Sequence, residues 1–115
     1  MSGMNILYQK MDMGERIIYA SMTEMEIVES VLAERDMLEE AYAQAGIMVE
    51  DMAIKTVIFV GEERPALWTA ASVEGVPYYL LQLFDFQLGQ YSVNTTFYSY
   101  VEDKTESILE LFYKI

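Results

Sequence analysis

The chain has 115 residues, 53% of them apolar, and sets 19 acidic side chains against 7 basic ones, for a formal net charge of −12. It contains no histidine and no cysteine. That excludes imidazole acid–base chemistry near neutral pH, thiolate nucleophiles, disulfides and thiolate-ligated metals. A surface this negative also repels nucleic acid and anionic membranes and attracts a basic partner.

The length fits a single domain, residues 1–115, large enough to bury on the order of 65–70% of its unfolded-chain surface. The apolar fraction is too high for an acidic disordered tail. Nine tyrosines and nine methionines suit half-buried sheets, adaptable interfaces and irregular core gaps. Met1-Ser2-Gly3 reads as a cloning remnant ahead of a natural start at Met4. The start lacks the basic and apolar regions of a secretory leader. No uncharged apolar run reaches 18 residues. With no cysteine, the expected location is the cytoplasm.

In chain order, Asn5 to Met13 reads as a first strand (Ile6, Leu7, Tyr8, Met11) and Arg16 to Met22 as a second, joined at Gly14-Glu15 into a hairpin. Ser21-x-x-Glu24 and Thr23-x-x-Glu26 each offer a capping box. A helix is expected from there to about Ala45, stopped by Gly46. Its apolar side carries Ile27, Val31, Leu38, Tyr42 and Ala45, and its outer side Glu26, Glu29, Asp36, Glu40 and Gln44. Arg35 falls on the apolar side, to pair with Glu24 or Glu39 or to snorkel outward.

Ile54 to Val60, apolar and β-branched, reads as a central strand. Gly61 to Pro65 reads as a loop, Ala66 to Val73 as a strand and Glu74-Gly75 as a turn. Pro77 opens a strand to Leu88, Gly89-Gln90 makes a turn, and Tyr91 to Val101 follows as a long strand. Val93, Phe97 and Val101 share one side of it, and Asn94, Thr96, Tyr98 and Tyr100 the other. Glu102-Asp103 opens a short helix with an Ile108, Leu109, Phe112 and Ile115 stripe. The predicted order is β-β-α-β-β-β-β-α. It implies an α+β fold with a mostly antiparallel sheet of five to six strands and two helices on one face. Val31, Leu38, Tyr42, Phe97, Ile108 and Phe112 should share one core. Thr96, Tyr98 and Tyr100 should lie on the opposite, open face.

The chemistry-bearing motifs are few. The acid pairs Glu50-Asp51, Glu62-Glu63 and Glu102-Asp103 fall in expected loops or at a helix start, where adjacent acids do not converge on one substrate. No calcium loop, phosphate loop, dinucleotide turn or serine–lysine arrangement is present. No catalytic residue, metal site or cofactor is therefore expected. Asp85, an acid within an apolar run, is expected to face solvent or pair with a neighbour. Only as a desolvated acid would it support a ligand module or weak enzyme. Aromatic strands can stack nucleic-acid bases, but the basic residues that bind phosphate are too few here.

The charge is concentrated. Between Glu24 and Asp51 nine acids face only Arg35, leaving that segment with −8 of the −12. A helix of about 20 residues would be a negative rod roughly 30 Å long. Its acids would recur every ~4.5–6 Å, against ~3.4 Å between phosphates along a DNA strand. The expected function is thus that of a small acidic, non-enzymatic protein that binds a basic protein partner. Such a partner could be a nucleic-acid-binding protein inhibited by mimicry of the nucleic-acid backbone, as small acidic inhibitors from phages and mobile elements do. Glu26, Glu29, Asp36 and Glu40 would supply charge, and Thr96, Tyr98 and Tyr100 anchors. The alternative is an adaptor, chaperone or structural subunit, a homodimer through its Tyr-rich sheet face, with the charge serving solubility alone. No direct contact with nucleic acid or membrane is expected in either case.

Overall fold

The computed structural model describes residues 2–88 and 90–111, without the side chains of Gln87 and Leu88. Its elements are β1 (Ser2–Lys10), α1 (Met13–Ala20), α2 (Glu24–Ala33), α3 (Arg35–Gln44), β2 (Ile47–Phe59), β3 (Glu62–Val73), β4 (Val76–Leu88), β5 (Tyr91–Tyr100) and α4 (Thr105–Glu110). The α+β class and a single antiparallel sheet hold, with five strands in the order β1-β5-β4-β3-β2. Among the described residues, no helix is long and apolar enough to cross a membrane.

The N-terminal hairpin does not form. Arg16 to Met22, expected as a strand, lies mostly in α1. The reason is local: Asp12 Oδ1 accepts the Glu15 N–H at 2.8 Å and Glu15 Oε1 accepts the Asp12 N–H at 3.3 Å, a complete capping box. With its chain neighbour helical, β1 pairs instead with the last strand, Ser2 opposite Ser99 through Lys10 opposite Tyr91. Ser2 and Gly3 thus belong to the sheet. Tyr98 lies over Gly3, whose missing side chain leaves room for the phenol; a Cβ there would sit 2.7 Å from its hydroxyl.

The expected single helix is two. Thr23 and Glu26, not Ser21 and Glu24, form the capping box of α2. The chain leaves helical geometry at Glu34 (φ −91°, ψ 23°) before α3 begins. The 30 Å rod is therefore replaced by two ten-residue helices of about 15 Å each.

The strands are longer than expected. Glu50-Asp51 sits in β2 at a bulge between Val49 and Asp51, and Glu62-Glu63 opens β3. Neither pair is in a loop. Two-residue turns, Val60-Gly61 and Glu74-Gly75, close the first two hairpins, with positive φ at both positions of each. That twist matches the flanking strands. Gly89 of the third turn, and Phe112 and Ile115 of the C-terminal stripe, lie outside the described residues.

The helices do not share one face, and the expected single core is two. Ile27 and Val28 of α2 pack with Met52, Leu67 and Phe84, joined by Val31 and Leu38. Leu109 of α4 packs with Val57, Ala66, Leu81, Leu83 and Phe97, joined by Ile108. Ala66 and Leu67, like Leu83 and Phe84, are adjacent in a strand and so point to opposite faces. The sheet is covered on one side by α1–α3 and on the other by α4. A central strand covered on both sides needs apolar residues at both parities, which is why β4 reads as a nearly continuous apolar run.

Candidate binding surface

The side bearing α1–α3 carries every residue expected to bind a partner, though not in the expected arrangement. Glu26, Glu29, Asp36 and Glu40 are exposed. Glu26 has a structural task as well: its Oε1 accepts the Thr23 N–H at 2.9 Å while its own N–H donates to the Thr23 hydroxyl. Those bonds to Thr23 hold its carboxyl below the usual range. Among the described residues, Glu29, Asp36 and Glu40 make no ion pair. Arg35, the only base in this stretch, is taken by Glu39 at 2.8 Å.

Glu29 also rims a recess. Between α2 and β2 lies an open groove of about 530 Å³, lined by Met25, Leu32, Ala33, Ile54 and Thr56 with Glu29 as its one charged group. A shallow, mainly apolar depression with an exposed carboxylate in its lining matches a lysine or arginine side chain, whose stem is apolar and whose head is cationic.

Thr96, Tyr98 and Tyr100 are not on an open face across the sheet from the helices. They alternate with Phe97, which is buried under α4. They therefore face the side of α1–α3, and all three are half-buried. The helices cover β2 to β4 and leave β5 and β1 bare, so a second groove of about 430 Å³ runs beside α3. Its floor is Leu80, Gln82 and Tyr78 of β4 and Asn94 and Thr96 of β5. Tyr42 and Ile47 form one wall, and Asn5, Ile6 and Leu7 of β1 form the other. No charged residue lines it.

Tyr42 shares a hydrogen bond with Gln82, and burial raises its pKa. Burial, together with the neighbouring Tyr100, Tyr42 and Tyr98, also raises that of Tyr78. The rings of Tyr78 and Tyr100 lie 4.6 Å apart. Sequence reasoning missed Tyr42 and Tyr78 as members of this cluster. The signal was present only as pairing: Tyr78 lies opposite Tyr100, and Gln82 opposite Thr96.

Asp85 is paired. The β3–β4 register ends at Leu67 opposite Gln82, and two residues earlier in β3 Pro65 has no N–H to donate. Arg64 enters the fork where the strands part. Its Nε reaches Glu24 at 2.7 Å, and its second guanidinium nitrogen reaches Asp85 at 2.9 Å. The side chain is 11% exposed. Burial opposes its charge, but Glu24 and Asp85 outweigh that and raise its pKa. Arg64 thereby ties α2, β3 and β4 together.

Across the sheet, the single tryptophan organises a second polar cluster. Trp68 Nε1 donates to Asp103 at 2.9 Å, and Lys55 lies 4.4 Å from its ring centre. Thr105 donates to Asp103 through its hydroxyl at 2.6 Å and its N–H at 3.1 Å, starting α4. Both clusters are arranged as joints between elements.

Among the described residues, no three acids converge in a geometry suited to a metal ion. Comparison with known protein families, curated proteins and solved structures finds no match.

Proposed function

We propose that this protein is a binding module that engages a basic protein through its α2–α3 layer, without chemistry of its own. The observation that carries the reading is the shallow α2–β2 groove, mainly apolar and with the exposed, unpaired Glu29 in its lining. It suits a lysine or arginine side chain of the partner. Asp36 and Glu40, on the next helix, extend the negative field that would steer such a partner into place. The break at Glu34 gives two short acidic rows, so the reading rests on the charge of the layer and not on phosphate-like spacing. A nucleic-acid-binding protein is one partner of suitable charge.

The test is affinity capture from the source cell at low and at high salt. The wild type is compared with a Glu29→Lys, Asp36→Lys, Glu40→Lys variant that spares the Glu26 cap. A basic protein should bind the wild type, be lost from the variant, and be released as salt rises. A partner that stays on the variant and resists salt would remove this reading. The adaptor reading, through the Tyr-lined groove with charge for solubility, would then take its place.

A further inference from the structure

We propose that two copies of this chain join through β1, antiparallel about a twofold axis at Ile6, so that two five-stranded sheets become one of ten strands. The two edges of the sheet are built differently. At one, β2 carries Glu50, Asp51 and Lys55 and a bulge between Val49 and Asp51, the features that keep an edge from pairing. At the other, β1 has nine residues, no bulge in its pairing with β5, and a single charge, Lys10, at its end. In its middle, Ile6, Leu7 and Tyr8 are 57%, 69% and 69% exposed. An apolar, unbroken edge offers backbone donors and acceptors to another strand.

Charge decides what that strand is. From Ser2 to Met22, Lys10 and Arg16 balance Asp12 and Glu15, so the whole charge of −12 is carried by the rest of the chain. Two copies repel one another over most of their surface but not here. The segment is also self-complementary, as a twofold contact requires. With full overlap of Ser2–Lys10, Ile6 meets its own counterpart, Met4 meets Tyr8, and Lys10 meets Ser2. The two lysines then lie about 27 Å apart. Ile6 and Leu7 also wall the groove beside α3, but Glu29, Asp36 and Glu40 lie off this edge, so the dimer leaves the acidic surface free.

The absence of cysteine makes the test clean. Ile6→Cys places two thiols across the axis, within the Cα separation a disulfide spans. Under mild oxidation this variant should become a covalent dimer, and a Glu40→Cys variant should not. Sedimentation of the wild type should give twice the chain mass, and Ile6→Lys should give the chain mass with an unchanged circular dichroism spectrum. A wild type that stays monomeric at its solubility limit overturns the proposal. So does a dimer that survives Ile6→Lys, since its contact lies elsewhere.

Discussion

Alternate residues of the same strands build the two faces of this sheet, and the faces close differently. Under α4, one six-residue helix suffices because Phe97, Leu81 and Leu83 are fully buried and the Trp68–Asp103–Thr105 cluster fixes the helix start. Under α1–α3, three helices are not enough. They pack on β2 to β4 without sealing them and stop short of β5 and β1, where Asn94, Thr96 and the tyrosines lie. More helix does not mean more coverage: the Tyr-lined groove of the adaptor reading opens where the thicker layer runs out, while the proposed acidic surface lies on the layer itself.

The largest test of that contrast is Phe97→Ala against Thr96→Ala, adjacent residues on opposite faces. Phe97→Ala should cost about 3–5 kcal/mol in urea unfolding followed by Trp68 fluorescence, and Thr96→Ala about 1 kcal/mol or less. Similar costs would mean that the groove is as tightly built as the α4 core. Next is Arg64→Met, which leaves Glu24 and Asp85 facing each other without their shared cation. The expected loss is about 2–3 kcal/mol. A smaller loss would place the hold on α2 in its apolar contacts instead.

Acid should loosen the α4 face in one identifiable step. Burial pushes the Asp103 carboxyl up. Hydrogen bonds from the Thr105 hydroxyl, Trp68 and the Thr105 N–H, with Lys55 nearby, outweigh that and hold it below the usual aspartate value. A depressed folded pKa stabilises the fold above the unfolded value, and the contribution fades as pH falls through the folded one. Trp68 fluorescence should therefore titrate below the ordinary aspartate range, and Asp103→Asn should abolish that step. The smallest effect belongs to the exposed acids. Glu29→Lys, Asp36→Lys and Glu40→Lys should leave the melting temperature nearly unchanged. Glu26→Lys should lower it measurably, because that residue closes the capping box of α2.

Periodicity and turn chemistry found the strands from Ile54 onward, though not the start of β3 at Glu62, and also the Gly46 stop and the terminal helix. They failed where two local signals competed. Ile17, Ile18 and Tyr19 are good strand formers, and the Asp12–Glu15 capping box overrode them. Nor does alternation say which face a helix covers: it separates Phe97 from Tyr98, but only long-range packing sends α4 to one and α3 to the other. The exposure of the four helix acids followed from the helical period. The groove required knowing that Tyr42 reaches Gln82, a contact no local pattern encodes.

Because β1 pairs with β5, the first strand of the sheet in chain order has the last one as its neighbour. About ninety residues must be synthesised in between, on the order of 5–20 s at ordinary elongation rates. For that interval Ile6, Leu7 and Tyr8 wait unpaired, while α1 to α3 and the β2–β3 and β3–β4 hairpins can already form around their own contacts. The sheet can thus grow from β2 to β5 in the order of synthesis, and only β1 joins out of turn. The strand that waits longest is the one that ends at the edge.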